Sequence, residues 1–168
     1  MNSVYNFGMK GKNKKIKKFS EIQKIASHAK KKGLTVVTTN GTFDVLHIGH
    51  LRNLEAAKSY GDILIVGVNS DASVKAYKGK DRPIIPAEER AEMIASLKPV
   101  SYAFIFETTT AIPWIKKIKP HVHVKGAERE ISGMIEKPIL DKIGGKLVLV
   151  PYLKGKSTSA IIAKIRKL

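Results

Sequence analysis

The sequence predicts an α/β fold: a Rossmann-like, doubly wound sheet of about five parallel strands with helices on both faces. Three observations carry this expectation. Continuous apolar or β-branched runs such as Leu34–Thr39 and Ile63–Val68 read as strands buried on both faces. Segments with helical spacing alternate with these runs along the chain. Polar segments that contain glycine follow the carboxyl ends of the strands, where such folds bind ligands.

The elements follow in order. Residues 1–18 are polar and lysine-rich without apolar periodicity, and are expected to form a disordered basic extension ahead of one domain over 19–168. A helix is expected over 20–32, with Ser20 as its N-cap, Ile22, Ile25 and Ala26 on one face and Gly33 at its end. The strand 34–39 leads to a helix over 48–60, closed by Gly61. The second strand covers 63–68. Residues 70–86 are polar and hold Gly79, Pro83 and Pro86, so a long functional loop is expected there. Glu88 and Glu89 lie in the first turn of a helix over 87–98. A strand at 102–106, a short helix at 110–118, a strand at 122–124, a helix at 134–143 that stops at Gly144-Gly145, a strand at 147–150 and a helix at 158–167 complete the chain.

Composition narrows the function. The chain has 168 residues, 43% of them hydrophobic, which suits one globular domain. No apolar run reaches the roughly 20 residues of a membrane helix, and the first residues lack a signal-peptide pattern, so a cytoplasmic protein without membrane association is expected. With no cysteine in the sequence, a cysteine nucleophile and a thiolate-bound metal are excluded. The net charge of +17 invites a nucleic-acid reading, but ten lysines and one glutamate in residues 1–32 supply +9 of it. The remaining +8 suits an anionic small substrate, and nucleic acid is not the expected partner.

The chemistry concentrates in the run Asn40 to His50. Gly41 permits a tight turn beside a ligand. His47 and His50 stand three apart and share one face of a helical first turn, with Gly49 between them allowing close backbone approach. Amides at that helix start favour phosphate. Attack on an α-phosphorus builds charge on its equatorial oxygens, and donors aimed there lower the barrier. An ionised acceptor phosphate needs neither a protein nucleophile nor a general base. Zinc ligation by Asp44, His47 and His50 stays open as an alternative. The loop over 70–86 holds Lys75, Lys78, Lys80 and Arg82, cations able to clamp phosphates or simply to be solvated.

The run Gly41-Thr42-Phe43-Asp44 through His47-Ile48-Gly49-His50 resembles the signature of the cytidylyltransferase-like nucleotidyltransferases. Val68-Asn69-Ser70-Asp71, Lys78-Gly79, Arg82-Pro83, Glu89-Arg90, Val124-Lys125-Gly126, Gly144-Gly145 and Gly155-Lys156-Ser157-Thr158-Ser159 resemble segments of the heptose 1-phosphate adenylyltransferases, so the similarity covers about 20–167. The resemblance implies transfer of a nucleoside monophosphate from ATP, or CTP, to a phosphorylated sugar or polyol with release of pyrophosphate.

It further implies roles by position. His47 and His50 would stabilise the transition state. Gly41, Thr42, Phe43, Lys125, Gly126, Ser157 and Thr158 would bind the nucleotide. Thr42, Asp44, Lys78 and Arg82 would meet the substrate, Lys78 and Arg90 would neutralise charge at the reacting centre, and Arg90 would also orient the loop or a phosphate. Mg²⁺ would arrive on the triphosphate, without a dedicated protein site. A homodimer is expected, as is a separate sugar kinase. The family's second glycine and aspartate after Lys-Gly are replaced by Ala127 and Glu128, followed by Arg129. Glycerol 3-phosphate cytidylyl transfer is the alternative within the class, and nucleic-acid binding through the basic tail is the alternative outside it.

Overall fold

Successive residues of the strands send their side chains to opposite faces, and both faces are covered. The computed structural model describes residues 13–126 and 131–168. Among these lie five strands, β1 (Val36–Gly41), β2 (Ile63–Asn69), β3 (Tyr102–Phe106), β4 (Val122–Gly126) and β5 (Lys146–Val150). They form one parallel sheet in the order β3-β2-β1-β4-β5. The helices are α1 (Phe19–Lys31), α2 (Ile48–Lys58), α3 (Asp71–Lys78), α4 (Ala87–Ser96), α5 (Ile112–Ile118), α6 (Lys137–Lys142) and α7 (Thr158–Ile165), with a 3-10 turn at Ile131–Gly133.

Alternation along the strands builds two cores. Val37, Leu64, Val66, Val68 and Val124 meet Leu54 and Ala57 of α2 and Ala91, Ile94 and Ala95 of α4. Val36, Ile65 and Phe104 on the other face meet Ile22, Ala26 and Ala29 of α1, Trp114 and Ile115 of α5 and Leu140 of α6. The strand order reverses at β1, whose neighbours are β2 on one side and β4 on the other. This switch point opens a crevice beyond the carboxyl ends of β1 and β4.

Three expectations are corrected. The proposed extension over 1–18 is too long: residues 1–12 lie outside the described residues, but Lys17 N–H donates to Ala103 O at 2.9 Å and Lys15 O accepts from Ala103 N–H at 3.0 Å. Ile16 thereby joins the sheet edge and packs on the α4 side of the core, a single apolar residue too isolated to show a period. Ser20 is not the cap of α1; Lys18 holds that position, and its N–H donates to Glu21 Oε2 at 2.9 Å. The long loop over 70–86 contains α3. Ser70 Oγ caps it by accepting Ser73 N–H at 3.2 Å, and only Ser73 and Val74 are buried, too few for an apolar period.

Candidate active site

The turn after β1 is shaped by its own backbone and then locked. Phe43 and Val45 adopt φ of 51° and 28°, a region costly for side chains with a Cβ and worst for a β-branched valine. Buried contacts hold the turn there. Asp44 is 1% exposed, and its carboxylate accepts from Arg82 Nε at 2.7 Å and from the N–H groups of Ile84 and Ile85 at 3.0 Å. Burial alone would raise its pKa; the Ile84 and Ile85 amides and the Arg82 guanidinium outweigh it and hold the carboxyl below its ordinary value. Thr158 Oγ1 donates to Asp44 O at 3.1 Å, which ties the start of α7 to the same turn.

The two histidines cap α2 reciprocally. His47, at the N-cap, accepts Gly49 N–H on Nδ1 at 3.1 Å, and His50 accepts His47 N–H on Nδ1 at 3.4 Å. An Nδ1 that accepts leaves the proton of a neutral imidazole on Nε2, so both rings carry an Nε2–H donor. Burial, then the proximity of His47 and Lys78, lowers the His50 pKa to about 4. Burial also lowers that of His47. Both are therefore neutral donors near pH 7. Gly49 is required by close approach, since a Cβ there would lie 2.9 Å from the His47 ring.

These rings line a cleft of about 690 Å³ at the switch point. Gly41, Thr42, Phe43, Asp44, Lys78, Arg82, Lys125, Gly126, Ser157 and Thr158 reach the same cleft, as does Ser159. Lys75 and Lys80 are exposed and do not line it. Partial burial and then Arg82 lower the Lys78 ammonium from its ordinary value, against the pull of Asp44. Ser157 Oγ is spent on its helix, accepting Ala160 N–H at 3.1 Å.

Of the two roles expected of Arg90, charge neutralisation at the reacting centre is corrected, and holding the loop agrees with its contacts as a buried clamp. It is 0% exposed and does not line the cleft. Its guanidinium donates to Ile85 O at 2.8 Å, to Asp71 Oδ1 at 2.6 Å and to Thr42 O, joining α3, the 79–86 loop and the turn after β1. The zinc alternative finds its donors engaged elsewhere. Asp44 is held by Arg82 and two amides, and the Nδ1 atoms of both histidines take backbone N–H groups. His121 Nδ1 accepts Val36 N–H at 2.9 Å, and His123 is fully buried with Nδ1 2.9 Å from Thr38 Oγ1. Burial lowers the His123 pKa to about 3, with Lys125 adding to it.

Sequence reasoning missed several lining residues. Tyr77 hydrogen-bonds Thr42 Oγ1 at 2.5 Å, from a helix that was expected to be a loop. Asn53 and Tyr152 crowd Gly126 so closely that a Cβ there would fall 2.5 and 2.6 Å from them. Lys154 and Lys156 add cations from the segment before α7. Glu136, buried at 3% exposure, pairs with Lys125 at 2.9 Å; a lone glutamate gave no signal in the sequence. The altered positions Ala127, Glu128 and Arg129 lie outside the described residues.

A parallel sheet with a histidine-capped helix at its switch point and a cationic cleft above it forms a site suited to the phosphates of a nucleotide. Residues 38–151 match the cytidylyltransferase-like family, and the chain belongs to that family. It is 46% identical over 155 residues to the bifunctional protein HldE of Aliarcobacter butzleri, covering 92% of this chain and 32% of that one. It is also 46% identical over 151 residues to HldE of Nitratiruptor sp., covering 90% of this chain and 32% of that one. The chain thus spans about a third of the length of these curated relatives.

Among solved structures it resembles the lipopolysaccharide core biosynthesis protein from Thermoplasma volcanium, with a TM-score of 0.61, 28% identity, and coverage of 74% of this chain and 100% of that one. Pantoate-beta-alanine ligase from Francisella tularensis shares the fold alone, with a TM-score of 0.60 at 17% identity, over 91% of this chain and 78% of that one. Among the described residues no helix is long and apolar enough to cross a membrane.

Proposed function

We propose that the chain transfers the adenylyl group of ATP to a sugar 1-phosphate of the heptose class, giving an ADP-sugar and pyrophosphate. The observation that carries this reading is the pair of neutral Nε2–H donors on His47 and His50, set by their own backbone hydrogen bonds at the mouth of a cationic cleft. An oxygen of the acceptor phosphate attacks the α-phosphorus, a new P–O bond forms, and the bond to the β-phosphate bridging oxygen breaks. The two imidazoles donate to the non-bridging oxygens as charge builds there. Lys78, Lys154, Lys156 and the amides at the start of α7 receive the departing pyrophosphate.

The lining carboxylate, Asp44, is saturated by Arg82 and two amides. The residues therefore fit a Mg²⁺ ion that enters on the triphosphate and is held by phosphate oxygens and water, where it would screen charge. The heptose class is supported by the similarity to the HldE proteins, and ATP by the same likeness. Pyrophosphate release should be measured with Mg²⁺ for ATP, CTP, GTP and UTP against heptose 1-phosphates, other sugar phosphates and glycerol 3-phosphate. Release with ATP and a heptose 1-phosphate is expected. Release only with CTP and glycerol 3-phosphate would replace the substrate pair and keep the chemistry.

A further inference from the structure

The cations of the cleft are of two kinds. Among the described residues no carboxylate forms an ion pair with Lys78, Lys154 or Lys156, which leaves them available to a polyanion. Lys125 differs. Its ammonium, at the end of β4, lies 2.9 Å from Glu136 Oε1 and 3.4 Å from Asn40 Oδ1. The Lys125 side chain is 23% exposed and that of Glu136 4%, so the pair sits at the cleft wall with the carboxylate behind the ammonium.

A buried carboxylate is costly unless a specific partner compensates it, and replacing such a pair by apolar groups is often neutral or stabilising. A pair kept at a ligand cleft therefore invites a role in the ligand's recognition. The charge balance indicates which part of the ligand. A phosphate placed against Lys125 would also face the Glu136 carboxylate, and two anions at such distances repel. A neutral hydrogen-bonding group suffers no such penalty. The lysine stem is flexible, and the buried anion fixes where its remaining donors point.

We propose that Glu136 is a positioning residue: it neutralises Lys125 and aims the ammonium at the uncharged nucleoside part of the nucleotide rather than at its phosphates. The inference rests on the nucleotidyltransferase reading of this cleft. Its test needs no acceptor. ATP and inorganic tripolyphosphate are titrated by calorimetry into wild type, Glu136→Gln and the double variant Lys125→Met/Glu136→Met, and each melting temperature is recorded.

ATP binding is expected to weaken about tenfold or more in both variants, as for removal of a buried, hydrogen-bonded charge. Tripolyphosphate binding should remain at the wild-type level. The double variant should melt near the wild-type temperature and still bind ATP poorly, which a merely structural pair would not do. Wild-type ATP affinity in a folded double variant, or in Glu136→Gln should the double variant fail to fold, overturns the inference. Equal losses for ATP and tripolyphosphate overturn it too, by assigning Lys125 to phosphate. Absence of binding by any nucleoside triphosphate to the wild type would instead remove the functional reading on which it stands.

Discussion

The imidazole rings of His47 and His50 stack with centroids 3.9 Å apart and 27° between their planes. The stack follows from the capping of α2, because each Nδ1 takes a backbone N–H within the same turn. Two donors are thus fixed before any substrate arrives, which is what makes them useful to a transition state. His50→Ala is expected to lower turnover by about 10² or more while the protein stays folded. Steady-state kinetics beside a thermal melt check this, and wild-type turnover in a folded variant would remove His50 from the chemistry.

Gly49 tests the geometry rather than the chemical group. A methyl at that position would meet the His47 ring at 2.9 Å, so the ring must turn away and lose its bond to Gly49 N–H. Gly49→Ala should reduce turnover by about tenfold or more, since small misplacements at a reacting centre are costly. A crystal structure of the variant should show the His47 ring displaced; an undisplaced ring with full activity counts against the account.

Asp44 holds the turn after β1 through Arg82 and the Ile84 and Ile85 amides. Removing it leaves Arg82 unpaired against the loop and frees the Ile84 and Ile85 amides. Asp44→Ala is expected to lower unfolding free energy by about 3 kcal/mol, as for one partner of a buried pair. Because its folded pKa is depressed, this contribution is present above the ordinary carboxylate range and disappears as pH falls through the folded value. Denaturant unfolding should separate wild type and variant at neutral pH and bring them together at strongly acidic pH. A constant difference at every pH would contradict the ion-pair account.

The histidines set a second pH dependence. The folded-state values are about 4 for His50 and about 3 for His123, against the ordinary 6.5, so the unfolded chain binds protons first as pH falls. Their contribution is intact above about pH 6.5 and shrinks as pH drops toward 4 and 3. NMR titration of the imidazole Cε1–H signals should place the His50 midpoint well below 6.5. A midpoint above neutral pH would make His50 a cation under neutral assay conditions and contradict the account.

Much of the fold could be read from the chain because buried parallel strands leave long apolar runs, as at Ile63–Val68, and glycines mark element ends, as at Gly33 and Gly144. The helix α3 escaped because only Ser73 and Val74 of it are buried, too few to show a helical apolar period. Ile16 escaped because its partner is Ala103, far along the chain. In the site, the spacing of His47 and His50 around Gly49 was enough to bring them together. The partnerships of Arg90 with Asp71 and of Lys125 with Glu136 were not legible, since ion pairs across elements obey no period in sequence.

The central claim is adenylyl transfer, and following the phosphorus tests it most directly. The enzyme is incubated with Mg²⁺, a heptose 1-phosphate and ATP labelled in either the α- or the γ-phosphate. The account predicts that α-label appears in the sugar nucleotide and γ-label in pyrophosphate. Label from the γ-phosphate on the sugar, or α-label released only as free AMP, would contradict it.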